Sequence, residues 1–244
     1  MMYSTLHKVK MDGIKMLILL LVSASYVGCQ DSDSNASNYP LESIEKLKFI
    51  NAQGEIVEHH GKTGLKVFTP GQVSLQDNDA TLVLLQDVEF RDGVIELEIA
   101  GEPVPGTGSG ARGFVGVAFR VNSENHEQYE CIYLRPLNGR ASKQLQRNHS
   151  VQYVSHPEYT WYKLRNETPG VYESYVDLLP GAWTNVRIEV SGHTAMLYVN
   201  GADQPTLMVN DLKRGDSKGG VALWLHSSTI AHYRNLVITP ELAD

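Results

Sequence analysis

The side chains best suited to chemistry gather in one stretch, Gly113 to Pro136, GFVGVAFRVNSENHEQYECIYLRP. Val115, Val117 and Phe119 alternate with Gly116, Ala118 and Arg120; Ile132 and Leu134 alternate with Tyr129, Cys131, Tyr133 and Arg135. Period-2 alternation of β-branched and aromatic residues predicts two strands, joined by the polar loop VNSENHEQ. With the valines, Phe119, Ile132 and Leu134 in a core, Arg120, Tyr129, Tyr133 and Arg135 share the opposite face. Guanidinium forks bond oxygens, and phenol rings give a flat apolar surface with a polar tip. Such a platform suits a hydroxyl-rich ligand. The alternative is a solvated sheet face whose arginines pair with carboxylates. Glu130 and His226 are the candidate acid and base, which work only within reach of the same bond. If Glu130 follows Ile132 and Leu134 into the core, its role is structural.

The elements that must carry these groups are short strands throughout. The pattern predicts strands at 56–59, 65–68, 80–85, 94–100, 113–121, 128–135, 151–154, 184–191, 194–200, 220–226 and 231–238. Gly and Pro turns separate them, as at Thr69-Pro70-Gly71, Asn200-Gly201 and Lys218-Gly219-Gly220. Pro40 to Leu47 reads as one or two helical turns. Many short strands without a long amphipathic helix predict an all-β protein, a two-sheet antiparallel β-sandwich. Two connections stand out. Gly101 to Arg112 is rich in Gly and Pro but lacks Gly-Lys-Ser/Thr, which excludes a phosphate loop. Asn138 to Pro180 is long and aromatic, holding Tyr153, Tyr159, Trp161, Tyr162, Tyr172 and Tyr175 with His149 and His156. It reads either as the wall of a ligand groove, Trp161 foremost, or as cover for a sheet edge.

The chain starts with Lys8, Lys10 and Lys15, an apolar run MLILLLV (16–22) and Val27-Gly28-Cys29. A basic start, a short apolar run and small residues describe a secretory signal. The ending is similar to a bacterial lipoprotein signal, in which Cys29 is acylated and carries a lipid anchor to the membrane. This divides the chain into a signal peptide (1–28), a polar tether (29–39) and a single domain (40–244). It places the protein in the cell envelope, as an outer-membrane lipoprotein on the surface or periplasmic face. Cleavage after Ser25 is the rival reading. Net charge is −7, with 21 basic and 28 acidic residues. Loss of residues 1–28 removes three Lys and one Asp, leaving 18 and 27, or −9. An acidic domain without a basic cluster excludes nucleic acid as a partner. Cys131 is then unpaired and reads as a small packed residue.

In order along the chain stand GVIELEI (93–99), GVAFR (116–120), QYECIYLRP (128–136), PGAWTNVRIEV (180–190), LYVNG (197–201), GGVALWLH (219–226) and HYRNLVI (232–238). This series resembles the concanavalin A-like sandwich, and within it the DUF1080 or 3-keto-disaccharide hydrolase domain, over about residues 65 to 239. The chain is also similar to laminin-G-like domains. The resemblance implies a jelly-roll sandwich acting on or binding a carbohydrate or glycoside, with Phe119-Arg120, Tyr129-Glu130, Asn200-Gly201 and His226 on the family's motif positions. Gly116, Val117, Cys131-Ile132 and Trp224 depart from it.

The expected function is therefore carbohydrate binding through Arg120, Tyr133, Arg135, Trp161 and Trp224. One alternative is a glycoside-processing enzyme using Glu130 and His226; another is an adhesion domain without a small ligand. Arg120→Ala is expected to abolish binding and leave stability alone. Glu96-x-Glu98 lacks the third carboxylate of a retaining glucanase. No cofactor is expected. Asp77-Asn78-Asp79 offers oxygen ligands of the kind Ca²⁺ takes, although such clusters are ordinarily turns. His59 and His60, as neighbours in a strand, point to opposite faces and are a poor metal pair.

Overall fold

The computed structural model describes residues 35–71 and 81–241. Cys29, the signal segment and Asp77-Asn78-Asp79 lie outside the described residues. Among those described, fifteen strands follow one another: β1 (Ser37–Tyr39), β2 (Leu47–Ile50), β3 (Gln53–His59), β4 (Lys62–Phe68), β5 (Leu82–Leu85), β6 (Gly93–Pro103), β7 (Val115–Val121), β8 (Tyr129–Leu134), β9 (Val151–His156), β10 (Glu173–Ser174), β11 (Thr184–Ser191), β12 (Thr194–Val199), β13 (Leu207–Val209), β14 (Gly220–Leu225) and β15 (Thr229–Pro240). They form two antiparallel sheets. One runs β13-β12-β11-β6-β15-β4-β3, with β1 also on β15; the other runs β10-β9-β8-β7-β14-β5-β2. This is the expected two-sheet jelly-roll sandwich.

The core lies where the inward parities of the two sheets meet. In the first sheet Val186 pairs with Leu97, and Ile188 with Ile95 and Leu197, so aliphatic side chains stand in rows across three strands. In the second, Val117 pairs with Ile132 and Leu223. All belong to one buried cluster, each contributing roughly 1.5–3 kcal/mol. That is why no disulfide is needed at this size. Strands β7 and β8 are buried on both faces, because Phe114 and Trp161 pack against the outward side of their sheet. The site is built on that outward side.

Three expectations are corrected. Pro40 to Leu47 forms bends and a turn, not a helix. Ser37–Tyr39, expected within the tether, is a strand paired with Leu236–Ile238. There β15 runs past the end of β4, so its edge offers backbone partners that a polar segment accepts as readily as an apolar one. The helices lie instead in the aromatic connection, as α1 (Gln144–Arg147) and α2 (Trp161–Glu167). Only Leu164 of α2 is buried, too sparse a pattern to read as amphipathic. The short strands β1, β2, β10 and β13 were not foreseen; they are set by neighbours distant in sequence.

Candidate binding cleft

The floor of the site follows from one glycine. Gly116 in the middle of β7 pairs with Tyr133 on one side and Trp224 on the other. A Cβ there would lie 2.3 Å from the Ile132 carbonyl and 2.5 Å from Tyr133 Cβ. The absent side chain lets the two flanking rings close over β7 and stack, with centroids 4.7 Å apart and planes at 27°. This is cross-strand aromatic cover of a strand glycine. Trp224 Nε1 donates to the Tyr129 hydroxyl at 3.3 Å, and Tyr129 stacks on His156, its partner across β8 and β9, at 4.9 Å. An aromatic pavement thus spans β14, β8 and β9.

Over it lies a cleft of about 590 Å³, within the range of small-ligand sites. One wall rises from the connection after β8. Arg135 Nη2 donates to the Tyr133 hydroxyl at 2.8 Å and to Gln152 Oε1 at 3.2 Å; Nη1 donates to the His149 carbonyl and to Glu173 Oε1, both at 3.2 Å. Its guanidinium also faces the Tyr133, Phe114 and Trp161 rings at 5.1, 5.8 and 5.9 Å. Glu173, on the two-residue edge strand β10, is the hub behind this wall. It pairs with Arg135 and Arg165, and His149 Nδ1 stands 3.0 Å away. Burial alone would raise the Glu173 carboxyl, but Arg165, Arg135 and His149 hold it below the usual carboxylate range. Arg165 follows Trp161 by one helical turn and stacks on it at 4.6 Å, the reach of an i,i+4 pair. Burial lowers His149, and the two arginines lower it further against the pull of Glu173.

The opposite rim comes from the Gly-rich loop before β7 and the turn after β14. Arg112 donates through Nη1 to its own loop, to the carbonyls of Ser109 and Ala111. Burial lowers its affinity for a proton, and the charge on Arg135 lowers it further. His226 packs 5.0 Å from Phe114. Its Nδ1 accepts the Ser228 N–H at 3.1 Å and lies 2.8 Å from the Ser228 hydroxyl. An Nδ1 occupied as acceptor leaves the ring proton on Nε2.

Of the expected site residues, Tyr133, Arg135, Trp161, Trp224 and His226 therefore meet in one cleft. Arg120 does not, and this is a correction. At Phe119-Arg120 two residues of β7 face one of β14, between the pairs Ala118–Ala222 and Val121–Gly220. Arg120 takes φ +54° in that bulge. Its guanidinium turns away from the pavement and is 1% exposed. Nε donates to the Arg91 carbonyl at 2.9 Å, Nη2 to Asp92 Oδ1 at 2.9 Å and to the Gly192 carbonyl at 2.8 Å, and Nη1 to the Gly215 carbonyl. Asp92 Oδ1 also accepts the Gly192 N–H at 2.8 Å. Arg120 is a tie between the turns at one end of the sandwich, so its expected removal without loss of stability is corrected too.

Glu130 is the second correction. It keeps the parity of Ile132 and Leu134 and is fully buried. Its carboxylate accepts the Tyr153 hydroxyl and the Arg214 N–H, each at 2.6 Å, and Tyr153 accepts the Lys213 N–H at 2.9 Å. Burial raises its pKa, against the bonds from Tyr153, Arg214 and Ser155 and the charge of Arg120. It fastens the connection before β14 to the core and is sealed from the cleft.

The aromatic connection divides between both earlier readings. Trp161, His149 and His156 line the cleft, while Tyr153 and Tyr172 fill the core between the sheets. Tyr162 and Tyr175 are exposed. Cys131 is buried beneath the pavement, and burial, with Glu130 nearby, pushes its thiol well up. Arg112, Lys143 and Arg165 join the cleft unforeseen, and Phe114, at the start of the expected strand 113–121, joins it too. Arg112, Lys143 and Arg165 lie outside the strands, where alternation carries no information about direction, whereas Phe114 keeps the outward parity of Gly116.

The model of one family, described as the 3-keto-alpha-glucoside-1,2-lyase-like domain, matches residues 50–239. No curated protein matches the sequence. Among solved structures, a protein of unknown function with a galectin-like fold from Bacillus subtilis is similar over 83% of this chain and 94% of its own, with TM-score 0.55 at 11% identity. The carbohydrate binding module CBM66 from Bacillus subtilis is similar over 79% of this chain and 95% of its own, with TM-score 0.51 at 12% identity. At these identities the likeness is one of fold.

Proposed function

Since the chain belongs to the 3-keto-alpha-glucoside-1,2-lyase-like domain family, we propose that its cleft binds a carbohydrate or glycoside. The observation that carries this reading is the stacked Tyr133–Trp224 pair under a cleft of about 590 Å³. A sugar ring has an apolar face of C–H groups and a rim of hydroxyls. The pavement meets the first, and Arg135, Trp161 and His226 at the sides meet the second. The similarity of fold to a carbohydrate binding module accords with this use of the fold. Titration calorimetry of the protein against a panel of mono- and disaccharides tests it. Trp224→Ala should weaken the binding found by about 2 kcal/mol, roughly 30-fold, as expected for a central aromatic anchor. Undiminished binding, with the fold intact, would remove the cleft from consideration.

A second reading, elimination of a glycoside, is favoured by the family and by the composition of the cleft. No carboxylate lines it among the described residues, so acid-base hydrolysis by a carboxylate pair has no candidates there. Elimination beside a keto group needs a base to take the C–H proton and donors for the keto oxygen that gains charge; the glycosidic C–O bond then breaks, and the departing sugar oxygen takes up a proton. Arg112, which among the described residues bonds only through Nη1, supplies donors at the rim beside His226, and His149, whose hold on a proton is weakened by burial, is the candidate base. Mass spectrometry of 3-keto-glycosides incubated with the protein separates turnover from binding alone. The reading also includes a lipid anchor at Cys29 and an envelope location, which the Val27-Gly28-Cys29 sequence supports.

A further inference from the structure

We infer that the ligand of this cleft is an acidic sugar, one bearing a carboxylate or a sulfate ester whose oxyanion is held at Arg112. The inference rests on the binding reading above and specifies its ligand class. The charge around the cleft runs against that of the whole chain, which is −7. Arg112, Arg135, Lys143 and Arg165 line it, and no carboxylate does among the described residues. The carboxylate paired with this wall is Glu173. It lies behind the wall with its side chain 3% exposed and is shared by Arg135 and Arg165. One carboxylate cannot neutralise two guanidinium groups, so the wall keeps a net positive charge.

Arg112 adds a second, uncompensated one. Its hydrogen bonds go only to backbone carbonyls of its own loop, and no carboxylate pairs with it among the described residues. Arg112 and Arg135 line the same cleft, and burial first, then the charge on Arg135, weakens the hold of Arg112 on its proton. Arg135 shares Glu173 with Arg165 and Arg112 has no carboxylate partner among the described residues, so the surplus positive charge in the cleft favours an anion there. Arg135 has both Nη groups committed to Tyr133, Gln152, His149 and Glu173, so it contributes charge; Arg112 bonds only through Nη1, and its Nε–Nη2 edge matches the paired oxygens of a carboxylate or sulfate better than a lone hydroxyl. The aromatic pavement beneath answers the ring that carries the anion. A bare phosphate or sulfate would leave Tyr133 and Trp224 unused.

The test is calorimetry on the full chain with three probes: a glucuronate-terminated disaccharide, its glucose-terminated counterpart and the 6-sulfated counterpart. At low salt at least one acidic probe should bind about tenfold or more tightly than the neutral one, with the advantage shrinking as salt rises. Which acidic probe leads tells carboxylate from sulfate. Arg112→Gln should cut the acidic-to-neutral affinity ratio about tenfold. Lys143→Gln, on an exposed position, should cut it less, and serves if the first variant does not fold. Equal or tighter binding of the neutral disaccharide would overturn the inference and leave the sugar-binding reading standing. Inorganic sulfate binding as tightly as the acidic sugar would overturn the claim that the pavement takes part. No binding by any probe would overturn both.

Discussion

His232 should make the fold sensitive to mild acid. It lies on β15 between Ala231 and Tyr233, both of which face the core, so its ring is on the outer side of its sheet. It is nonetheless 5% exposed. His59 stacks on it, centroids 3.7 Å apart and planes at 10°, and Trp183 meets it edge-on at 6.3 Å. Burial, then the neighbouring His59, Lys66 and His60, push its pKa down from 6.5 to about 4. The unfolded chain accepts the proton first as pH falls, so stability is complete above about pH 6.5 and is lost towards pH 4. Linkage gives a loss of about 2 kcal/mol between pH 8 and pH 5, approaching about 3 kcal/mol below pH 4. Urea unfolding at constant ionic strength should show this as a midpoint lower by roughly 1 M at pH 5. The decisive quantity is the difference between wild type and His232→Gln. Groups remote from it, His149 among them, titrate in both proteins and cancel. The variant should lose most of the change between pH 8 and 5. Parallel pH profiles within about 0.5 kcal/mol would refute the assignment.

Arg120→Ala should destabilise the fold by about 3–5 kcal/mol, because it strips a buried charge pair and three carbonyls of their partner; thermal melts would reveal it, and sugar affinity measured below the transition should be unchanged. Gly116→Ala should cost about 1–3 kcal/mol through contacts with backbone that cannot yield, and by parting Tyr133 from Trp224 it should also weaken the ligand, which calorimetry and melts together would establish. Cys29→Ala should release the protein from membranes into the soluble fraction on sedimentation; continued pelleting would count against acylation.

The sandwich was legible because alternation is a local signal. Ile95, Leu97 and Ile99, or Val186, Ile188 and Val190, declare their face whatever surrounds them, and so did Glu130. Arg120 was misread because alternation assumes an unbroken ladder. The warning lay on the facing strand: a Cβ on Gly219 would sit 2.3 Å from the Val121 carbonyl, so Gly219-Gly220 marks where β7 crowds its neighbour at the bulge. Tyr133, Trp224 and Arg135 were found because strand parity reaches them. Arg112, Glu173 and Arg165 were not, since side chains of a loop, a two-residue edge strand and a short helix are aimed by distant partners. Nothing local to Glu173 says that Arg135, 38 residues earlier, will share it with Arg165.

Arg120 and His226 mark opposite ends of the same antiparallel strands, β7 and β14. At one end a single side chain clasps the turns around Asp92, Gly192 and Gly215; at the other, the loops around Arg112 and Trp161 enclose the cleft. Cohesion and recognition are thereby assigned to separate poles. Descendants of this scaffold are free to remodel the second pole, exchanging one ligand preference for another, while the clasp at the first keeps every such experiment folded.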